Sequence, residues 1–163
     1  MDSAFIDAMP KPADTVASNG GSRAPALTDD LSFLLARANA ISLAAGNAAL
    51  ATHGLKARSY AVLLLTTDDA RPSQREIAEF LRLDPSQVVS LVDDLQSRGL
   101  VERRTDPADR RANVVVATDA GRQLAAVARE SARSAEEQVH RQLTPNERQT
   151  LTALLRILAF PEP

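Results

Sequence analysis

Three groups of side chains in this 163-residue chain carry donors and acceptors at spacings that suit an anionic partner with readable edges. The first is Asp109-Arg110-Arg111, two guanidinium forks behind a carboxylate that can orient one of them. The second is Ser86, Gln87 and Ser90, just after Asp84-Pro85. A glutamine amide pairs with adenine through two hydrogen bonds, and serine donates or accepts. The third is Ser73-Gln74-Arg75 at a helix start, where free backbone amides suit phosphate. These groups bind; none of them makes a nucleophile–base pair.

Positioning them takes two helices and a hairpin. Ser73 is a helix N-cap with Glu76 three residues on, the capping-box spacing. Ile77, Phe80 and Leu81 follow at helical spacing, and Arg82-Leu83 is the turn. Asp84 caps a second helix, with Pro85 at its first position and Gln87 in the reciprocal slot. Val88, Leu91, Val92 and Leu95 form its apolar face, which leaves Ser86, Gln87 and Ser90 opposite. Gly99 stands where a left-handed residue ends a helix. Two capped amphipathic helices on so short a joint make a helix-turn-helix. Leu100 to Arg104 and Asn113 to Ala117 are β-prone runs around the polar tip Asp106–Arg111, a hairpin wing.

With these residues the chain resembles the MarR family of bacterial transcription regulators. The resemblance rests on Asp106, Asp109, Arg111, Thr118 and Gly121 at their mutual spacing, and on Asp93, Leu95 and Gly99-Leu100-Val101 upstream. It covers residues 28–160, roughly. It implies a mainly α fold with a small β-hairpin wing (α+β), a winged helix-turn-helix flanked by dimerisation helices. It also implies that Arg111 lies in a minor groove, that Asp109 orients it and that Arg110 touches phosphate; Arg98 and Arg104 are weaker phosphate candidates. Asp93 is expected to pair with Arg103 or Arg104. Where many members carry Arg or Lys, this chain has Ser90 and Asp94, and Asp94 would repel phosphate. An effector cleft between the dimer helices and the winged domain is implied as well, for a small, often aromatic, acid. Phe33, Arg37, His53 and Tyr60 offer the aromatic, cationic and polar groups for it.

Residues 1–27, rich in Pro, Ala, Ser and Gly, read as a disordered arm. The domain is expected over 28–160, with the winged unit at about 55–118 and dimerisation helices at about 28–52 and 118–160. Thr28 is expected to cap the first helix, with Asp29 and Asp30 in its first turn and a stripe of Leu31, Leu34, Leu35, Ala38 and Ile41. The next helix, Leu55 to Thr66, carries the apolar run Tyr60–Leu65 and must be buried. Thr118 caps a helix to about Gln142 with Leu124, Val127, Ala128, Ala135 and Val139 as its stripe. Thr144-Pro145-Asn146-Glu147 starts a last helix bearing Leu151, Leu154, Leu155 and Leu158. The outer helices hold more apolar surface than one small core needs, so a two-fold homodimer is expected.

Apolar content of 44% and charged content of 25% fit a soluble globular domain. The net charge of −2 counts against a nucleic-acid partner, but Arg98, Arg103, Arg104, Arg110 and Arg111 concentrate where contact is expected. Without cysteine there is no disulfide or thiol switch, and His53 and His140 have no metal-ligand spacing. No glycine-rich phosphate loop is present. No cofactor, metal or catalytic set is therefore expected, and no enzymatic activity. Met1-Asp2 does not open a signal peptide, and the apolar stretches read as too short for a bilayer, so cytoplasm is expected. The expected partners are a double-stranded inverted-repeat operator, a second copy of the chain and a small effector, with no membrane. The rival reading is a winged-helix module for protein–protein contact without specific DNA binding, favoured by the acidic total and Asp94.

Overall fold

A computed structural model describes residues 27–68, 70–106 and 112–161. The expected N-terminal arm, apart from Leu27, and the wing tip with Asp109, Arg110 and Arg111 lie outside them. The element order is α1 (Leu31–Ala51), α2 (Ala57–Leu65), α3 (Gln74–Leu81), α4 (Pro85–Ser97), β1 (Val101–Thr105), β2 (Asn113–Ala117), α5 (Asp119–Val139) and α6 (Pro145–Ala159). This is the mainly α, hairpin-bearing architecture of a winged helix-turn-helix.

The chain divides into two units, residues 1–34 and 35–163. In the first, Asp30 caps α1, its Oδ1 accepting from the Phe33 amide at 2.7 Å. This corrects Thr28 as the cap. The aspartate immediately before Leu31 reaches the third helical amide, and Thr28 and Asp29 fall in the preceding turn.

In the second unit the core gathers Val62 and Leu63 of α2, Ile77 of α3, Val88, Val92 and Leu95 of α4, Val101 and Val115 of the hairpin, and Ala125 and Ala128 of α5. Helix α4 ends as its sequence demands. Gly99 has φ +69°, the Gly99 amide donates to Gln96 O at 2.9 Å and the Leu100 amide to Leu95 O at 2.9 Å. The hairpin is antiparallel, with Val101 opposite Ala117 and Arg103 opposite Val115. The other edge of β2 is covered, since Val115 N donates to Pro72 O and Ala117 N to Thr66 O, each at 2.9 Å.

Helix α5 starts hard against the end of α4. Thr118 Oγ1 donates to Gly99 O at 2.7 Å and accepts from the Gly121 amide at 3.0 Å. A β-carbon on Gly121 would stand 1.9 Å from the Leu100 carbonyl oxygen, so only glycine permits this approach.

Three further expectations are corrected. Phe80 is 56% exposed rather than core, and its ring meets Phe160 with centroids 5.7 Å apart. On α5 the inward face is Gly121, Ala125 and Ala128, while Val127 is 58% exposed. Leu124 packs partly on the core beside these small residues. Third, α1 is 21 residues long with a mean hydropathy of 1.2, enough by length and composition alone to cross a membrane. Only Leu50 of α1 is buried, and α6 has no buried residue.

Both capping boxes form. Ser73 N and Oγ each donate to Glu76 Oε2 at 2.7 Å, and Thr144 N and Oγ1 to Glu147 Oε2 at 2.8 Å. The Ser73 backbone bond, then its hydroxyl, hold the Glu76 carboxyl below its ordinary value. A depressed carboxyl adds stability above its unfolded pKa and loses it as pH falls through the folded one. Wild type is therefore expected to be more stable than Glu76→Gln at pH 7. Thermal melts should show that gap closing as pH drops below the usual glutamate value of about 4.3. Gly121→Ala is expected to cost about 3 kcal/mol in urea unfolding, because backbone must move. A change within about 0.5 kcal/mol would contradict the contact.

Candidate nucleic-acid interface

The first turn of α4 presents a polar face because its other face is fully committed to the core. Val88, Val92 and Leu95 have no accessible surface, while Ser86, Gln87 and Ser90 are exposed. Asp84 Oδ1 accepts from the Ser86 amide at 2.8 Å and from Ser86 Oγ at 2.5 Å. The Ser86 hydroxyl bond, then its amide, lower the Asp84 carboxyl pKa. Ser90 Oγ donates back to Ser86 O at 3.1 Å. Both serines thus give their hydroxyl protons to acceptors at the start of the same helix. Gln87 does not take the reciprocal capping slot, because Ser86 already satisfies Asp84 from two positions on. Its side-chain amide makes no hydrogen bond among the described residues, so all its donors and acceptors face solvent.

Arg103 fastens this helix to its neighbours. From β1 its Nε donates to Gln74 Oε1 of α3 at 2.8 Å. Nη1 donates to Gln96 Oε1 at 2.8 Å and Nη2 to Asp93 Oδ1 at 2.5 Å, both on α4. Asp93 therefore pairs with Arg103, and Arg104 pairs with Glu102 instead. Sequence reading saw only the Asp93 partner. The signal for the rest was parity: Arg103 shares the inward face of β1 with Val101, so its guanidinium needs several acceptors.

The N-terminus of α3 is partly occupied by the protein itself. Ser73 gives both donors to Glu76, Gln74 Oε1 is held by Arg103, and Arg75 Nε pairs with Glu79 Oε1 at 2.8 Å. The Glu79 hydrogen bond raises the Arg75 pKa. What remains for a phosphate is the mobile charge of Arg75, whose side chain is 87% exposed, and the Gln74 amide nitrogen. Ser73, Gln74, Arg75, Arg103 and Asn113 line a cavity of about 270 Å³ between α3 and the hairpin. Asn113, a polar side chain at the start of β2, was not anticipated there.

Asp94 is paired within its own helix end. Arg98 Nη1 lies 3.4 Å from Asp94 Oδ2 and donates to Gly54 O at 3.0 Å. That places Arg98 against the α1–α2 turn. The hairpin stem closes with the Asp106 amide donating to Ala112 O at 2.9 Å.

The four residues assigned to an effector fall in both units. Phe33 belongs to the first unit; Arg37, His53 and Tyr60 belong to the second. Arg37 is exposed, His53 Nε2 shares a 2.8 Å hydrogen bond with Ser131 Oγ, and Tyr60 packs partly on the core.

The MarR family pattern matches residues 53–112. A MarR-family transcriptional regulator from Rhodococcus sp. RHA1 is 39% identical, with a TM-score of 0.80 over 85% of this chain and 99% of that one. CouR from Rhodococcus jostii RHA1, solved bound to p-coumaroyl-CoA, is 40% identical, with a TM-score of 0.79 over 86% and 99%. A transcriptional repressor CouR bound to a 23-mer DNA duplex is 28% identical, with a TM-score of 0.79 over 86% and 99%. A transcriptional regulatory protein assigned to the hcr operon of Thauera aromatica is 30% identical over 107 residues, 66% of this chain. The match spans 64% of that relative's own length. With the helix-turn-helix, the hairpin and near-complete coverage of a regulator of known family in agreement, this chain belongs to the MarR family and is a transcription regulator rather than an enzyme.

Proposed function

We propose that the chain is a homodimeric repressor that binds an inverted-repeat operator through α4 and the wing and is released by a small effector. The observation that carries this is the first turn of α4. Its inward face is sealed, and the opposite face offers an unengaged Gln87 amide between two serines. Gln87 reads a base edge, and Ser86 and Ser90 accept or bridge. Arg111 enters the flanking minor groove with Asp109 orienting it, and Arg110, Arg75 and Gln74 meet phosphates. The Asp94–Arg98 pair removes the main local objection to an anionic partner.

Dimerisation is supported by what α1 and α6 leave uncovered. Leu31, Leu34, Leu35 and Ile41 on one helix and Leu154, Ile157 and Leu158 on the other are exposed. A second copy buries them, and that use of α1 is preferred to a membrane because the close relatives are regulators that act on DNA. The domain is then 28–160 and the location cytoplasmic. A two-fold dimer sets two α4 helices about 34 Å apart, one turn of duplex. The p-coumaroyl-CoA held by the Rhodococcus relative supports an aromatic acid or its thioester as effector class.

One titration tests the proposal: the duplex beside the chain's own gene, at several salt concentrations. Saturation at two chains per site and affinity falling steeply with salt are expected. Arg111→Ala and Gln87→Ala should each weaken binding by about tenfold or more, Gln87→Ala also flattening sequence preference. Addition of p-coumaroyl-CoA or p-coumarate should dissociate the complex. Binding equal to that of a scrambled duplex, or unaltered by Arg111→Ala, would contradict the assignment.

A further inference from the structure

The loop between α2 and α3 ends in a residue under backbone strain. Arg71 has φ +44°, a left-handed conformation uncommon for a residue with a β-carbon. It also precedes Pro72, whose ring disfavours helical backbone at the residue before it. Such a conformation persists only when its surroundings impose it. Here both ends of the loop are tied to β2, through Thr66 O to Ala117 N and Pro72 O to Val115 N. Among the described residues the Arg71 guanidinium is exposed and makes no hydrogen bond or ion pair.

Among the described residues, Arg71 lines a cavity of about 320 Å³ with Arg104, Arg122 and Asp68, three guanidiniums and one carboxylate. Arg104 is held by Glu102, while Arg122 Nη2 pairs with Asp119 Oδ1 at 2.7 Å and Nη1 donates to Ala117 O at 2.6 Å. Both ion pairs are largely exposed, and such pairs contribute about 0–1 kcal/mol, so a multiply charged acceptor displaces them readily. The threonines at the rim offer little competition as donors, since Thr66 Oγ1 and Thr67 Oγ1 give their protons to Leu63 O and Leu64 O. Arg104 neighbours Arg103 on a strand, so the two point to opposite faces of the hairpin. The cavity is thus separate from the surface built around α4.

We infer that Arg71, Arg104 and Arg122 form a phosphate site on the outer face of the wing. Three forked donors suit a tetrahedral anion with several acceptor oxygens better than a lone carboxylate. The phosphate comes either from duplex backbone flanking the half-site or from a soluble phosphorylated molecule.

The test uses the full chain and three variants. Arg71→Gly removes the cation and suits the positive φ, so its thermal midpoint should equal or exceed wild type. Arg71→Lys keeps the charge, and Arg104→Gln probes the second wall. Calorimetry with pyrophosphate reads the soluble source. Saturable binding weakened about tenfold or more in Arg71→Gly and Arg104→Gln, but much less in Arg71→Lys, supports it. Salt-dependent binding to a long duplex and to one trimmed to the half-sites reads the other source. A slope reduced by about 0.9 in Arg71→Gly on the long duplex alone supports a flanking phosphate. If Arg71→Gly changes neither readout, or wild type gives neither signal, the site is overturned and Arg71 is only a solvated cation. The pyrophosphate arm contains no DNA, so its result stands apart from the operator reading.

Discussion

Arg103 donates from Nε, Nη1 and Nη2 to Gln74, Gln96 and Asp93, and through those three bonds β1, α3 and α4 hold one relative orientation. Each element alone is a short piece of secondary structure with modest local stability. Apolar packing of Ile77, Val88, Val92 and Val101 brings them together, but such packing is non-directional and tolerates small rotations. A planar fork with fixed donor directions does not. Recognition of base edges needs the first turn of α4 placed within a fraction of an ångström relative to the wing. In this chain that placement depends on one side chain only partly shielded from water.

A second constraint works at the other end of α4. Thr118 and Gly121 seat α5 directly on Gly99 and Leu100, so the helix that leaves the wing is anchored to the end of the recognition helix. The outer helices carry the opposite kind of surface: α6 has no buried residue, and apolar side chains along α1 stay exposed. The winged unit is tightly cross-bonded, whereas the outer helices keep apolar surface uncovered. In the proposed ligand-controlled dimer, a coupled shift would need a stiff path between the two.

Much of this was legible in the residues. Caps at Ser73, Asp84, Thr118 and Thr144 locate four helix starts because a cap acts on its own neighbours and needs no tertiary context. Gly99 and the Val114–Val116 run were equally local. Less legible were features set by distance in space. Phe80 sits at a core-like helical position, yet its partner is Phe160, eighty residues away by number. Gly121 gave no sign in sequence of how closely α5 approaches Leu100, a contact that no β-carbon would permit. Gln87 looked like a reciprocal cap, and Ser86 took that role by geometry alone. In the reading surface, the residue types on α4 were evident from period and polarity. The three-way role of Arg103 was not, since Gln74 and Gln96 are neutral and carry no charge signal that marks them as its acceptors.

The most direct test of this dependence is the ratio of operator affinity to scrambled-duplex affinity in Arg103→Lys, at fixed salt and with helical content and molecular mass checked against wild type. Lysine keeps the charge and loses the fork. The predicted result is a native-like dimer whose ratio falls about tenfold or more, a loss near 1.4 kcal/mol. An unchanged ratio in a folded dimer would contradict the idea that this guanidinium sets the geometry of the reading surface.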